Sequence, residues 1–557
     1  MSTYDLKSLN LPKLAGLSLR IFAALLDWPF TRRLLLPSLM RQGGIYPLRA
    51  MRLAEDPTLY PYAPAEKRAT GPLSPAEVEA TLLLLRHSTS FSTARDYSDH
   101  YRGRKVTPVD VAEHILAVID KSETLQPPLR AFIANDRDDI MQQARASTER
   151  YRSGKPLSIL DGVPIAIKDE VDLAPYPSHV GTSFLGTEPA RDCTAVARLR
   201  AAGALLVGKA NMNELGLDPS GFNRHFGTTR NPYSLQRDPG GSSCGPAAAT
   251  AAGMVPVSVG CDGGGSIRIP AGLCGIVGLK PTFGRVSENG AVALCPSVDS
   301  IGPIGASVED VAIVYGIIAG PDLLDPRSQF QPPVELVGWN NPDLHGLKFG
   351  VYPAWFDHAT PEIVTACRKM LDELVKAGAE IKEIELPGLD AMRIAHVVTI
   401  LGEQGANLQD RREHIRDLSA PTRVTWSLVN AFSAVDYIQA QRIRTRAIAT
   451  FMRLFHEVDA ILTPTTAITA PLIPENGVPD GWSDLSVTTE KMRYAFEANL
   501  TGLPAISFPV GYDHDGLPIG MQAMGNYWDE CTLLRIAYAA EQVIERRRPA
   551  VFFPILE

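Results

Sequence analysis

Apolar positions along this chain recur with two periods, one helical and one extended. In "PEIVTACRKMLDELVKAGAEIKEIEL" Ile363, Cys367, Met370 and Leu374 fall at helical spacing and predict a helix with one apolar face. Gly378 follows at the expected C-cap position, and Ile381, Ile384 and Leu386 then predict a strand. "DCTAVARLRAAGALLVGKA" repeats the order as a helix, Gly203, and a strand over Ala204–Val207. Short apolar runs in "GVPIAIKD", "MVPVSVG", "KFGVYP", "DAILTPTT" and "AISFPVG" predict further buried strands. Apolar strands joined by helices predict an α/β fold, a single large mixed β-sheet covered on both faces by helices. No fixed-period repeat or low-complexity tract interrupts it, so residues 61–557 are read as one large domain.

Residues 1–60 follow a different pattern, a helical extension. "LAGLSLRIFAALLDWPFTRRLLLPSLM", residues 14–40, is apolar but broken by Arg20, Asp27, Arg32 and Arg33. Pro29 and Pro37 are expected to cut it into two short helices. It falls short of the ~20 apolar residues of a bilayer span. It also lacks a cleavage site after a continuous apolar core, so no secretory signal is expected. Two readings stand: a helical hairpin packed on the body, or a patch at the surface. Such a patch would meet a membrane, with Trp28, Arg32 and Arg33 at the interface, or form the face of a homodimer. The polar "PYAPAEKRATGPLSPAEVEA" after about Pro61 reads as the linker to the body.

Composition narrows the partners. The 557 residues are 45% hydrophobic and 21% charged, as in a soluble globular protein, and the net charge of −8 without a Lys/Arg stripe speaks against nucleic acid. Seven cysteines without a CxxC pair fit free thiols in a reducing compartment, so a cytoplasmic location is expected, with peripheral membrane contact as the variant. Eleven histidines without HExxH or a His/Cys cluster predict no metal centre.

Three glycine-containing segments carry candidate chemistry. "GALLVGKA", Gly203–Ala210, has phosphate-loop spacing, but its middle is a strand, and Ala210 stands where a magnesium-binding hydroxyl is needed. "GSSCG" around Ser243 has nucleophile-elbow spacing, yet the polar "NPYSLQRDPG" before it is no strand. The third is "DPGGSSCGPAAATAAGMVPVSVGCDGGGSIRIPAGLCGIVGLKPT". Ser242 and Ser243 lie at the start of an Ala-rich helix beginning near Gly245, where a hydroxyl caps free amides. A strand over Val255–Val259 follows, then Gly263, Gly264, Gly265 and Ser266, and a short helix opened by Pro270. Consecutive glycines can turn their amides into one concavity around an acyl oxygen, with Ser266 at its lip. A tight turn that only permits close packing remains the alternative. A serine nucleophile needs a base, and Lys168 closes the apolar run of "LDGVPIAIKDEVD". Burial would lower its pKa toward that role, while a simple pairing with Asp169 or Glu170 is the alternative.

Together these stretches resemble the amidase signature family of serine hydrolases, with further matches in "GTTRNPY", "SVDSIGPIGASVEDVAIVYGIIAGPD" and "NLTGLPAISFPVGYDHDGLPIGMQ". Within that family "PYPSHVGT", "GKANMNELG", "DGGGSIRIP" and "GLKPTFGRVS" are most similar to the plant-type fatty acid amide hydrolases. The resemblance implies Ser266 as nucleophile, Ser242 as bridging serine behind a cis peptide, and Lys168 as base. It implies an oxyanion hole from the amides of Gly263, Gly264, Gly265 and Ser266, with Gly216 and Ser243 also beside the substrate. It implies no cofactor and a hydrophobic small-molecule amide, with aryl amides or carbamates as the alternative. A glutaminase subunit of a tRNA-dependent amidotransferase is the further alternative, against which the apolar N-terminal extension speaks. Cys244 and Pro246 depart from the usual "GGSSGGS" without touching the triad. Cys261 reads as a buried packing residue and not a thiol nucleophile. Asp262 and Arg268 read as an ion pair that holds the loop.

Overall fold

The computed structural model describes residues 4–8, 13–65, 67–82, 90–186 and 188–557. Its core is an eleven-stranded mixed sheet. In chain order the strands are β1 (Phe132–Ala134), β2 (Pro164–Lys168), β3 (Leu205–Ala210), β4 (Val257–Cys261), β5 (Val277–Lys280), β6 (Ile301–Gly305), β7 (Lys348–Val351), β8 (Glu380–Glu383), β9 (Ala460–Pro464), β10 (Ala505–Tyr512) and β11 (Pro518–Gly525). Across the sheet they run β1-β3-β2-β4-β6-β5-β10-β11-β9-β7-β8. β2 pairs in parallel with both β3 and β4, and β7 with β8 and β9, while the centre and the β1 edge are antiparallel.

Every residue of β2, β3, β4, β5, β6, β9 and β11 is buried, as a sheet covered on both faces requires. The strand expected at Val255–Val259 is shifted by two residues, to Val257–Cys261, which brings its end to the glycine run. β8 is exposed along its length and ends at Glu383, so Ile384 and Leu386 lie beyond it, buried in the loop that follows. Its Glu and Lys side chains suit an unpaired sheet edge. Four strands escape the hydrophobic pattern, β1, β5, β6 and β11. "VGLK" and "IGPIG" are short and Gly- or Pro-bearing, and they become strands because tertiary neighbours supply their ladders.

The N-terminal segment forms helices over Gly16–Asp27, Pro29–Gln42 and Ile45–Ala50. Pro29 opens the second at its first position, but Pro37 lies inside it and does not end it, contrary to the expected cut. Met40, Ile45 and Leu48 join a buried cluster with Trp355, Ile394 and Phe451 of the body. The stretch read as a linker, from about Pro61, has no regular element among its described residues up to Ser74 and then a short helix over Pro75–Glu79. It is tied down: the Ala69 amide donates to the Gln331 carbonyl at 2.8 Å.

Candidate active site

β2 and β4 are adjacent and parallel, so their C-terminal ends open on the same edge of the sheet. Crevices outside such ends are where open α/β sheets hold ligands. β2 ends on Lys168 and β4 on Cys261, directly before the glycine run. The helix Cys244–Ala251 packs against both strands and holds Ser242 and Ser243 at its start. Ser243 occupies the N-cap, but it does not cap the amides as expected. Its hydroxyl donates to the Cys261 carbonyl at 3.3 Å and its amide to the Ser266 carbonyl at 3.2 Å. It lines neither of the two cavities that Ser266 lines.

The Gly241–Ser242 peptide is cis. Lys168 Nζ lies 2.9 Å from Ser242 Oγ, 3.1 Å from the Cys261 carbonyl and 2.7 Å from Glu170 Oε2. Lys168 is buried, and burial alone pushes its pKa down; the charge and hydrogen bond of Glu170, with Asp299 behind it, outweigh that, so the net direction is up. The expected lowering is therefore reversed; Lys168 is paired with Glu170, as the simpler reading had it, and also faces Ser242. Among the described residues, Glu170, Cys261 and Asp299 are the one group of metal-capable side chains, and the Lys168 ammonium is the cation set against them. Cys261 is buried and its thiol is pushed well up by that burial and by Glu170 and Asp299, so it stays protonated.

Ser266 shares a cavity of about 20 Å³ with Lys168, Ser242, Gly216 and Gly263, and it opens on its other side into a cavity of about 200 Å³. Each glycine of the run has its own reason. A Cβ on Gly263 would collide with Asp299 Oδ1, and one on Gly264 would lie 2.8 Å from His396 Cε1. Gly265 has φ +113°, where a side chain is strained. The Gly265 amide donates to Asp262 Oδ1 at 2.6 Å and is not free for a substrate oxygen. Of the four amides expected around the acyl oxygen, that of Gly265 is therefore already bonded, whereas those of Gly263, Gly264 and Ser266 have no hydrogen-bond partner among the described residues. Gly216, in the turn Glu214–Gly216, lines both cavities; a Cβ there would sit 3.4 Å from Ser242 Oγ.

Asp262 and Arg268 form the expected ion pair, fully buried, with two contacts of 3.1 Å. Burial works to raise the Asp262 pKa, but Arg268 and the loop amides hold it well below the usual carboxylate range. Arg268 also donates to Gln522 at 2.7 Å, and it begins the short helix Arg268–Leu273 two residues before Pro270. Neither residue lines a cavity at Ser266. Removing one partner of such a pair costs about 3–5 kcal/mol, so the loop's shape depends on both.

The Amidase family profile matches residues 113–534. This chain belongs to the amidase family. The amidase is 40% identical over 586 residues to a fatty acid amide hydrolase of Oryza sativa subsp. indica, covering 99% of this chain and 96% of that one. A fatty acid amide hydrolase of Arabidopsis thaliana is 37% identical over 585 residues, again 99% of this chain and 96% of the relative. The solved structure of native peptide amidase from Stenotrophomonas maltophilia superposes with a TM-score of 0.71 at 29% identity, over 83% of this chain and 98% of that one. This amidase is an amide-hydrolysing enzyme.

Two site residues of the amidase had no sequence signal as such. His396, on the helix Leu389–Asn407, lies with Nε2 2.8 Å from the Gly263 carbonyl. A carbonyl only accepts, so Nε2 carries the proton and Nδ1 is bare. Burial lowers the His396 pKa to about 4, so the ring is neutral at physiological pH. Holding that carbonyl fixes the Gly263–Gly264 peptide plane, and with it the direction of the Gly264 amide. Asp299 accepts from the Cys295 amide at 3.0 Å beneath Gly263. His396 is 133 residues from Gly263, and no local pattern joins them.

Proposed function

We propose that this amidase hydrolyses amides of long apolar acyl chains, of the fatty acid amide or N-acylethanolamine type. The observation that supports this reading is the lining of the space beyond Ser266. Phe222, Val397, Ile400, Leu428, Trp482 and Met492 surround the 200 Å³ cavity. It shares His396, Val397, Thr425, Leu428, Ser483, Leu485, Thr488 and Met492 with a second cavity of about 190 Å³, which reaches Leu6, Leu39 and Gly43 of the N-terminal segment. An acyl chain laid along this apolar passage loses its contact with water, about 0.8 kcal/mol for each buried CH₂.

In the chemistry this supports, neutral Lys168 accepts the Ser242 proton while Ser242 accepts that of Ser266. Ser266 Oγ attacks the carbonyl carbon, and the amides of Gly263, Gly264 and Ser266 hold the oxygen. The proton returns through Ser242 to the departing amine, and water releases the acyl group from Ser266. Oleoyl and acetyl amides of one amine test the substrate class. The oleoyl amide is expected to show at least tenfold higher kcat/KM; a preference for acetyl would favour the aryl-acylamide or carbamate reading and remove the lipid one.

The N-terminal helices support a membrane contact through residues 14–40. Gly16–Asp27 buries Leu19, Ala23 and Leu26 against the body while Leu17, Ile21 and Leu25 remain exposed on its other side. Trp28 is 70% exposed and Phe30 75%. Leu39 and Gly43, at the second cavity, belong to the same segment. Among the described residues no helix is long and apolar enough to cross a membrane, so the contact would be peripheral. Replacing Trp28, Phe30 and Leu34 by serine should abolish co-sedimentation with phospholipid vesicles and leave hydrolysis of a soluble amide unchanged. Loss of a dimer in sedimentation velocity, with vesicle binding intact, would assign the face to a homodimer instead.

A further inference from the structure

We propose that Glu170 is a positioning residue that sets the protonation state and orientation of Lys168, with Asp299 as its second line. The inference rests on Lys168 being the base. The geometry around Nζ carries it. Three groups surround this nitrogen: Ser242 Oγ, the Cys261 carbonyl and Glu170 Oε2. A carbonyl and a carboxylate only accept, so each takes one N–H of Lys168. The remaining direction points at Ser242. In the ammonium that direction is an N–H and Ser242 cannot hand its proton over. In the amine it is the lone pair, and the relay is open. Glu170 therefore does two things: it aims the third direction at Ser242, and its charge decides how readily the third proton leaves.

The groups that face this cluster come from several elements. Asp169, next to Lys168, is turned away and accepts from the amides of His179 at 3.0 Å and Gly181 at 2.8 Å. From β4 the cluster receives Cys261, and from the Cys295–Asp299 loop it receives Asp299 and the Cys295 thiol. Glu288 lies further out and is paired with Arg327 at 2.8 Å. Glu403 is occupied by the Ser297 amide at 2.9 Å, and Gln404, from the same helix, is a neutral wall of the cavity. Glu170 and Asp299 are both almost fully buried, and one oxygen of each lies within 4.8 Å of the other. Burial and the Glu170 charge push Asp299 up to about 7. The Glu170 carboxylate against Nζ, with the partly ionised Asp299 behind it, favours the ammonium in the resting enzyme. Deprotonation releases that proton to water and switches the relay on as pH rises.

The sign is testable. An opposite charge within about 4–6 Å shifts a pKa by roughly 1–3 units, and removing it leaves burial to dominate, which lowers a lysine pKa. In Glu170→Gln the rise of kcat/KM with pH is expected to move to lower pH by about 1–3 units. Asp299→Asn should move it the same way but less, and Glu170→Asp, which keeps the charge, should restore the wild-type profile. A purely structural role would scale the rate at every pH and leave the profile in place. An unmoved or alkaline-shifted profile in both Glu170→Gln and Asp299→Asn, while Lys168→Ala removes the wild-type rise, overturns the proposal and leaves Lys168 as base. If Lys168→Ala keeps the wild-type profile, the base assignment itself fails.

Discussion

Ser266→Ala is expected to lower kcat by on the order of 10⁶-fold and to abolish covalent labelling by a fluorophosphonate, with substrate binding largely retained. Among the described residues, Ser266 carries the one hydroxyl on the wall between the small cavity of Lys168 and Ser242 and the apolar passage. Its own side chain makes no hydrogen bond to a described residue, so its loss leaves no buried partner unsatisfied and the fold should be unaffected. The three free amides and the passage persist, which is why binding should survive the loss of chemistry. Labelling separates this role from its neighbours: Ser242 is buried behind Ser266 and Ser243 is bonded to Cys261, so neither should take the probe. Labelling of the Ser266→Ala protein, or turnover within tenfold of wild type, would remove Ser266 as the nucleophile.

Much of this site is local in sequence and was legible for that reason. The run Asp262 to Ser266 follows directly on a strand, and Lys168 closes another, so the pattern that predicts β2 and β4 places the end of β2 and puts that of β4 within two residues. Whether those two ends meet is a matter of sheet order, which no spacing specifies; only the parallel pairing of β2 with β4 brings Lys168 to Ser242. The glycine run shows the same division. Gly265 needs its φ, a property of the backbone alone, whereas Gly263 and Gly264 are required by Asp299 and His396, which arrive from elsewhere in the chain. That the Gly265 amide is taken by the Asp262 side chain, a carboxylate fixed by Arg268, is likewise not readable from the glycine spacing. Lys168 was misjudged for a related reason. Burial was readable from its apolar strand, but Glu170 turns inward with it and Asp299 comes from a distant loop, so the sign of the net effect belongs to the fold.

Lys168→Ala is expected to leave a folded enzyme slowed by about 10²–10⁴-fold, the range general acid–base catalysis contributes. The pH dependence identifies the role. With Lys168 present, activity rises as the ammonium loses its proton and then levels, since the amine is fully formed above that pKa. With alanine there, Ser242 has no base behind it, and hydroxide must do the work, so the residual rate should climb with pH and show no plateau. Because the charge of Glu170 keeps the wild-type rise high, the two curves converge only toward alkaline pH. A Lys168→Ala enzyme as fast as wild type at neutral pH would show that the proton of Ser266 leaves by a route other than Ser242 and this lysine.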